Sequence, residues 1–231
     1  MNEKRGKLFI VSTPIGNPDD ITLRAINMLK LSDAVICEEF KVAAKLLSHL
    51  KLKKELLQFN EHSGLNDLLD ITDKLQAGQR LALISDCGTP LLADPGLDLV
   101  RACIKNDIEL EVVPGVTSVM TALVRSGFPA EEFVFAGFLG RTDRDREDKL
   151  RDLSEENRTV VLLETPYRMK VMLEAAAKVM PNRLMYLGLN LTHGYETHHY
   201  GTFKEIYEKF KSEKIKAEFV VCFEGKNSMY G

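Results

Sequence analysis

One loop carries several residues whose types suit ligand binding. An apolar run at residues 81–84 leads into four of them: Asp86, Gly88, Thr89 and Pro90. A buried strand that ends in a carboxylate, a glycine and a proline predicts a loop of defined shape. Asp94 can cap the helix beyond this loop, and Pro95 fits the first helical position. Open α/β sheets bind ligands at such junctions, although an ordinary tight connection would have the same pattern.

The order of strand, loop and helix recurs five times in the first half of the chain. The predicted strands are residues 8–11, 34–37, 56–59, 81–84 and 110–113. In the first predicted helix, Leu23, Ile26 and Leu29 share one face. This alternation predicts a mainly parallel five-stranded sheet with helices on both faces. The loops after parallel strands emerge at one edge, so the polar, glycine and proline residues of five loops should converge there: 13–17, 38–41, 60–63, 86–90 and 114–118.

The second half of the chain has a different pattern. Its predicted strands are residues 133–138, 159–163, 184–189, 197–202 and 218–223, with helices at 169–179 and 206–210. Fewer helices between strands predict a mixed α/β sheet. We therefore expect two domains, residues 1–115 and 116–231, with a ligand cleft between them. A dense charge run at 140–156 predicts a solvated loop and helix, although its Arg141, Arg144 and Arg146 could instead contact phosphates.

Composition narrows the class of protein. The 231 residues, 45% of them apolar, can bury a sizeable core, and a net charge of −3 gives no overall basic field for nucleic acid. A local basic patch could still bind nucleic acid. Residues 1–7 are short and polar, and no apolar run approaches the length of a membrane span, so we expect a cytoplasmic protein without a targeting segment.

The four cysteines are predicted to be reduced thiols in the core. They are Cys37, Cys87, Cys103 and Cys222, and no two of them form a Cys-x-x-Cys pair. A metal site from His193, His198 and His199 is disfavoured, because neighbouring residues in a strand point to opposite faces. We therefore expect no disulfide and no metal.

Familiar catalytic motifs are missing from the sequence. No Gly-x-Gly-x-x-Gly, Gly-x4-Gly-Lys-Ser/Thr or Gly-x-Ser-x-Gly is present, so a dinucleotide fingerprint, a P-loop and a hydrolase elbow are unsupported. The convergent loops instead offer glycines, prolines, small hydroxyls and one or two carboxylates. This set suits a bulky ligand held mostly by backbone groups.

Several motifs resemble those of the tetrapyrrole methylase superfamily. They are Ser12-Thr13-Pro14-Ile15-Gly16-Asn17, residues 20–25, Ser85-Asp86-Cys87-Gly88-Thr89-Pro90-Leu91, residues 94–96 and Val113-Pro114-Gly115. Within the superfamily, the chain is most similar to the bacterial enzymes that methylate a cytidine ribose 2′-oxygen in small-subunit ribosomal RNA. The similarity continues through residues 127–129, 137–139, 164–168 and 219–225.

The resemblance implies a homodimer that binds S-adenosyl-L-methionine and acts on ribosomal RNA or the small ribosomal subunit. Carried over by position, the cofactor-binding residues are Thr13, Pro14, Gly16, Asp86, Gly88, Thr89, Thr117, Ser118, Leu163, Asn190 and Leu191. These residue types are chemically sensible. A glycine lets backbone approach the ligand, amides at a helix start favour its carboxylate, and Asp86 can accept from its ammonium or hydroxyls.

A ribose hydroxyl is a poor nucleophile, so a nearby base or charge would help it. Asn17, Glu38 and Lys41 lie on the expected edge of the sheet and are the catalytic candidates. The ribosomal RNA enzymes usually read Glu-Asp-Thr-Arg where this chain reads Glu38-Glu39-Phe40-Lys41. Two other readings therefore stay open: methylation of a small tetrapyrrole-like molecule, and a paralog that binds the cofactor or RNA without catalysis. The Gly-x-Gly-Pro-Gly loop usual in the tetrapyrrole enzymes is absent here, which disfavours the first.

Overall fold

The computed structural model describes residues 6–92 and 94–227, and their contacts divide the chain between Thr117 and Ser118 into two compact units. Residues 1–5, part of the segment in which no targeting signal was expected, lie outside the described residues. The first unit alternates strands and helices: β1 (Lys7–Val11), α1 (Leu23–Leu31), β2 (Ala34–Cys37), α2 (Phe40–His49), β3 (Glu55–Gln58), α3 (Leu65–Gln76), β4 (Arg80–Ile84), α4 (Leu97–Lys105) and β5 (Glu109–Val113).

The strands of the first unit form one sheet in the order β3-β2-β4-β1-β5. Every neighbouring pair is parallel, which confirms the predicted five-stranded parallel sheet. Val11 lies in register with both Ile84 and Val113, so the carboxyl ends of β1, β4 and β5 are level. The loops that follow these three strands therefore leave the sheet side by side.

Helices cover both faces of this sheet, as predicted. Leu8 packs on one face with Leu75 of α3, and the next residue, Phe9, packs on the other face with Leu29 of α1. Successive side chains of a strand point to opposite faces, so each strand feeds both layers. Burial of each large apolar side chain contributes about 1.5–3 kcal/mol, and the two layers make the sheet a rigid base for its loops.

The buried face of α1 differs from the prediction. Leu23 is 81% exposed, whereas Ala25 and Leu29 are fully buried. The helix begins at Leu23, where the Thr22 hydroxyl accepts a hydrogen bond from the Ala25 amide at 3.0 Å. A side chain in the first turn of a helix has no preceding turn to pack with, so Leu23 points to solvent while positions 25 and 29 meet the sheet.

The start of α4 also differs from the prediction. The helix begins at Leu97 with Gly96 as its N-cap residue, so Asp94 does not cap it and Pro95 is not its first residue. Gly96 has a φ of +127°, and a Cβ there would lie 2.9 Å from Leu91 Cδ2. Only glycine fits this backbone without strain. The expected acidic residue in the first turn, Asp98, is present.

The second unit is built on a mixed sheet, as predicted. Its elements are α5 (Ser118–Ser126), β6 (Phe133–Gly137), α6 (Asp143–Ser154), β7 (Thr159–Glu164), α7 (Met169–Val179), β8 (Leu184–Leu189), β9 (Thr197–Thr202), α8 (Phe203–Phe210) and β10 (Phe219–Phe223). The strand order is β6-β7-β10-β8-β9, with β6 and β7 parallel and the other neighbours antiparallel. Helix α8 begins three residues earlier than expected because Thr202 and Glu205 form a capping box.

Helices α6, α7 and α8 share the core on one face of this sheet, where Leu150, Leu173 and Phe203 pack together with the strands. Helix α5 contacts β7, β8 and β10. The charge run is less solvated than predicted, because Arg146 of α6 is only 4% exposed. Tertiary packing decides this burial, and the local charge pattern cannot reveal it.

Candidate active site

The loop after β4 leaves the sheet at a topological switch point. β4 lies between β2 and β1. The helices that follow those two neighbours, α1 and α2, pack on one face, whereas α4, which follows β4, packs on the other. Chain connections that leave in opposite directions open a crevice at the carboxyl ends of the strands, and open α/β sheets bind ligands there.

Hydrogen bonds join the loop after β1 to the loop after β4. The Thr13 amide donates to the Gly88 carbonyl at 2.8 Å, and the Thr13 hydroxyl donates to the Ser85 carbonyl at 3.0 Å. The hydroxyls of Ser12 and Thr89 are 3.0 Å apart and share a hydrogen bond. Thr13 is 3% exposed, so its hydrogen bond to Ser85 is shielded from water. The two loops that the sequence predicted to converge are therefore held together.

The loop after β5 joins the same group. The Ser12 amide donates to the Val113 carbonyl at 3.1 Å, and the Thr89 hydroxyl donates to the Val116 carbonyl at 3.3 Å. A Cβ on Gly115 would lie only 2.8 Å from Ser12 Cβ, so this close approach requires glycine. Gly88 has a φ of +87°, which side-chain-bearing residues rarely adopt. Glycines thus let three loops pack backbone against backbone.

Asp94 has a role other than the predicted helix cap. Its carboxylate accepts a hydrogen bond from the Ser85 hydroxyl, and the Ser85 oxygen accepts one from the Cys87 amide at 3.1 Å. The pair therefore shapes the turn that presents Asp86 and Gly88. The sequence did not single out Ser12 and Ser85 as positions whose hydrogen bonds hold these loops. Their signal was a small hydroxyl directly after a buried strand.

Cys87 is exposed, so its prediction as a core thiol was wrong. It lies in the loop after β4, and its Sγ is 3.6 Å from the Ile15 carbonyl oxygen. The other three cysteines are buried, as predicted. Burial raises the pKa of Cys37 and Cys103 to about 11, which keeps these thiols protonated and unreactive at neutral pH.

Carboxylates gather at the same edge of the sheet. The Glu39 amide donates to Asp86 Oδ1 at 3.3 Å, which joins the loop after β2 to the loop after β4. Burial, and then the charge of Glu39, raise the pKa of Asp86. Burial, and then the charges of Asp86 and Asp94, raise the pKa of Glu38. This concentration of negative charge disfavours a phosphate here and favours a ligand that carries a positive charge or donates hydroxyl hydrogen bonds.

The three catalytic candidates differ in their surroundings. Asn17 is exposed, and its side chain accepts a hydrogen bond from the Asp19 amide at 3.1 Å, where it caps the short 3-10 turn Pro18–Asp20. Lys41 is exposed in the first turn of α2. Glu38 is half-buried directly after β2. Burial and neighbouring carboxylates raise the pKa of Glu38, and a raised proton affinity is what a general base requires.

The candidates in the second unit also share one edge. Leu163 and Gly188 both lie in register with Val220, on either side of it. Asn190 follows β8 with a φ of +48°, and its amide donates to the Glu218 carbonyl at 2.8 Å. Leu191 is 6% exposed, and a Cβ on Gly188 would lie 2.8 Å from its side chain. The predicted pair Thr117 and Ser118 stands at the start of α5, which begins at Ser118.

The three histidines considered for a metal site have other contacts. His198 Nδ1 is hydrogen-bonded to the Tyr186 hydroxyl at 2.8 Å, and His199 Nε2 to the Thr197 hydroxyl at 3.1 Å. His193 stacks on Tyr195 with ring centroids 5.0 Å apart. Within residues 6–92 and 94–227, no group of three or more His, Cys, Asp or Glu side chains is arranged to hold a metal ion. In the same residues, no helix is long and apolar enough to cross a membrane.

Comparison with known proteins identifies the family. Residues 7–207 match the Tetrapyrrole (Corrin/Porphyrin) Methylases, and the chain belongs to this family. This confirms the resemblance seen in the motifs, and the chain is accordingly a methyltransferase.

Relatives of known name cover nearly the whole chain. The Ribosomal RNA small subunit methyltransferase I of Thermotoga maritima is 35% identical over 221 residues, which are 96% of this chain and 99% of that protein. The protein of the same name from Rickettsia prowazekii is 39% identical over 218 residues, which are 94% of this chain and 78% of that protein.

Solved structures share the fold. A cobalt precorrin-4 methyltransferase of cobalamin biosynthesis superposes with a TM-score of 0.72 at 19% identity, covering 94% of each chain. The uroporphyrin-III C-methyltransferase of Thermus thermophilus, complexed with S-adenosylhomocysteine, gives a TM-score of 0.65 at 19% identity over 94% of this chain and 97% of that chain. At this identity, the likeness is one of fold.

Proposed function

We propose that the protein transfers a methyl group from S-adenosyl-L-methionine to the 2′-oxygen of a cytidine ribose in small-subunit ribosomal RNA. The similarity to the Thermotoga maritima protein, whose name states a ribosomal RNA methyltransferase, carries the proposal because it spans 96% of this chain. A match from end to end covers both the loops that would bind the cofactor and those that would meet the substrate.

The residues of the first unit fit this cofactor chemically. S-adenosyl-L-methionine carries a sulfonium, an ammonium and two ribose hydroxyls, which suit the carboxylate of Asp86. The left-handed backbone of Gly88 and the turn at Thr13 would allow main-chain groups to approach the ligand. The amides that begin α5, at Ser118, would favour the methionyl carboxylate. Leu163 would contact the adenine. Pro14, Gly16, Thr89, Thr117, Asn190 and Leu191 would complete the contacts.

The protein's own contribution to the reaction is alignment, exclusion of water and removal of a proton. The bound cofactor supplies an activated methyl carbon, so holding the ribose oxygen in line with it accounts for much of the rate. We propose that Glu38 accepts the proton of the 2′-hydroxyl. Its pKa is raised by burial and by Asp86, which brings its basicity closer to that needed at neutral pH. Asn17 and Lys41 would orient the ribose.

We propose in addition that the protein is cytoplasmic, where its relatives' substrate is found, and that it forms a homodimer. Helix α5 exposes Met120 by 45% and Val124 by 75%, and a second copy would cover these apolar side chains. Sedimentation of the purified protein tests this, because a monomer at all concentrations would contradict the dimer.

Transfer of labelled methyl groups to purified small ribosomal subunits tests the reaction. A methyl on the 2′-oxygen protects the following phosphodiester from alkali, so alkaline hydrolysis should leave the label in an alkali-stable dinucleotide. Asp86→Asn should abolish most transfer and weaken cofactor binding measured by calorimetry. Asp98→Asn makes the same chemical change at an exposed position in α4 and should behave as the wild type.

Other outcomes separate the alternative functions. Label in alkali-labile nucleotides would mean methylation of a base, and label only in a tetrapyrrole would mean a small-molecule methyltransferase. Cofactor binding without transfer to any substrate would mean a non-catalytic paralog. Each of these results would overturn the proposed reaction.

A further inference from the structure

Two aromatic side chains are exposed at one edge of the second unit. Tyr167 is 76% exposed just after β7, and Phe138 is 41% exposed just after β6. β6 and β7 are parallel neighbours, so both rings stand at the carboxyl ends of adjacent strands. Large rings exposed on short turns contribute little to the core, and their exposure costs free energy unless a partner covers them.

Partly buried hydrogen bonds fix the two turns that carry these rings. The Arg168 guanidinium donates to the carbonyls of Gly140 and Leu139, which lie in the turn beyond Phe138. Its Nη2 is also 3.3 Å from Glu164 Oε2, in a side chain that is 1% exposed. The Glu164 carboxylate accepts the Thr165 amide at 2.9 Å. Arg168, paired with the buried Glu164, thus joins the turn of Tyr167 to the turn beyond Phe138.

The backbone at Phe138 has a second support. Lys149 Nζ donates to the carbonyl of Phe138 at 2.7 Å and to that of Ala136 at 2.6 Å. Lys149 and Arg168 together thus bind four backbone carbonyls within residues 136–140. A surface whose backbone is already ordered loses less entropy when it binds a partner.

Cationic side chains accompany the rings. Lys216 Nζ lies 5.0 Å from the centroid of the Tyr167 ring. Arg141, exposed, directly follows Gly140, whose carbonyl binds Arg168. An aromatic ring beside an ammonium group is the combination that binds a nucleotide, because the base stacks on the ring and the phosphate pairs with the cation.

Acidic neighbours limit the size of this contact. Asp143 and Asp145 lie in the first turn of α6, close to Arg141 in sequence, and both already accept hydrogen bonds. Asp143 Oδ1 accepts from Arg146 at 2.8 Å, and Asp145 Oδ2 accepts from the Thr142 hydroxyl at 2.7 Å. A mixed-charge rim disfavours a long phosphate track along duplex RNA. It is compatible with a short contact to an unpaired segment, where stacking supplies much of the affinity.

Building on the proposed function, we propose that the surface formed by Phe138, Arg141, Tyr167 and Lys216 binds an unpaired segment of the RNA substrate. A base stacks on Tyr167, and an adjacent phosphate pairs with Lys216. A protein partner is the less favoured occupant, because lysine is depleted in protein–protein interfaces.

The test compares Tyr167→Leu with Tyr167→Phe. Binding of a fluorescent single-stranded RNA is followed by anisotropy, and methylation of small ribosomal subunits is followed separately. Tyr167→Leu should weaken RNA binding and raise the KM for subunits by about 5- to 150-fold, as loss of one stacked base does. Tyr167→Phe keeps the ring and should stay close to the wild type. Cofactor affinity by calorimetry should be the same for all three proteins, which shows that the variants are folded.

A second pair of variants tests the phosphate contact. Lys216→Gln should reduce the slope of log K against log salt by about 0.7, the value for one phosphate on a single strand. Lys178→Gln removes an exposed charge from α7, where Lys178 pairs with Glu174, and should leave the slope unchanged. Equal slopes for the two variants would overturn the phosphate contact.

The outcomes distinguish this inference from the proposed reaction. RNA binding by Tyr167→Leu as tight as that of the wild type overturns the surface, even if subunits are methylated normally. Equal losses for Tyr167→Leu and Tyr167→Phe overturn stacking. Loss of RNA binding in Tyr167→Leu, in a protein that methylates no RNA, supports the surface and refutes the proposed reaction.

Discussion

The hydrogen bond from the Thr13 hydroxyl to the Ser85 carbonyl provides a quantitative test of how the loops after β1 and β4 are held together. Thr13→Val keeps the shape of the side chain and replaces the hydroxyl with a methyl group. In the wild type, Thr13 Oγ1 lies 3.0 Å from the Ser85 carbonyl oxygen. Both residues are buried, with 3% and 4% exposure, so water cannot replace the lost donor. A buried carbonyl that loses a donor costs about 1–3 kcal/mol, and the added methyl group recovers part of this. We expect a net loss of about 1–2 kcal/mol in the free energy of unfolding.

Thr72→Val is the matched control. Thr72 is also buried, at 6% exposure, and its hydroxyl donates to the Leu68 carbonyl at 2.7 Å. This carbonyl lies one turn earlier in α3, where the helix already supplies a backbone donor. The substitution should therefore change the free energy of unfolding by less than about 0.5 kcal/mol.

Urea unfolding, followed by circular dichroism, gives the free energy of unfolding of both variants. The dependence of this free energy on urea concentration should be the same as in the wild type. In thermal unfolding, Thr13→Val should lower the Tm by about 2–8 °C. Equal costs for Thr13→Val and Thr72→Val would refute the reasoning, since then burial of a hydroxyl, rather than the link between two loops, would decide the energy. A neutral Thr13→Val would refute it as well.

Three further substitutions test other features of the fold. Gly88→Ala places a side chain at a φ of +87° and should cost about 1–2 kcal/mol in urea unfolding, with weaker cofactor binding. In the folded protein, burial and then the charge of Glu39 raise the pKa of Asp86 above its ordinary value of 3.8. The protonated carboxyl therefore stabilises the fold below pH 3.8, and this stabilisation is lost as pH rises through the folded pKa. Asp86→Asn should therefore be more stable than the wild type at pH 7, and unfolding curves at acidic pH should show the difference vanish; a constant difference would contradict this sign. Arg146 is buried and pairs with the exposed Asp143, and its Nε has no hydrogen-bond partner within residues 6–92 and 94–227. Arg146→Met should therefore be neutral or stabilising in thermal unfolding, whereas a large loss would show that the buried charge stabilises α6.

Much of the fold could be predicted because its signals are local. The five apolar runs of the first half, each followed by turn residues and a helical pattern, indicated a parallel sheet, and all five strands are present within a residue of the predicted bounds. The predicted bounds of α7, β8 and β9 match the structure. The convergence of the loops followed from the parallel sheet itself, because strands that run in the same direction end at the same edge.

The roles of individual side chains were harder to predict. Asp94 has the sequence context of a helix cap, yet its carboxylate binds Ser85, nine residues earlier, once the loop folds back on β4. Cys87 stands beside an apolar run and is nevertheless exposed. A local pattern gives the conformations that a segment can adopt, whereas a side chain's partner depends on which other segment packs against it.

The sequence by itself determined the alternation of elements, the parallel and mixed sheets and the positions of the glycine-containing loops, since periodicity and turn chemistry act over a few residues. Only the tertiary structure decided the strand order, the bonds of Thr13 to Ser85 and Gly88, and the burial of Arg146 within a highly charged helix. These features join residues that are distant along the chain. Their energies depend on desolvation and packing, which arise only when the separate elements come together.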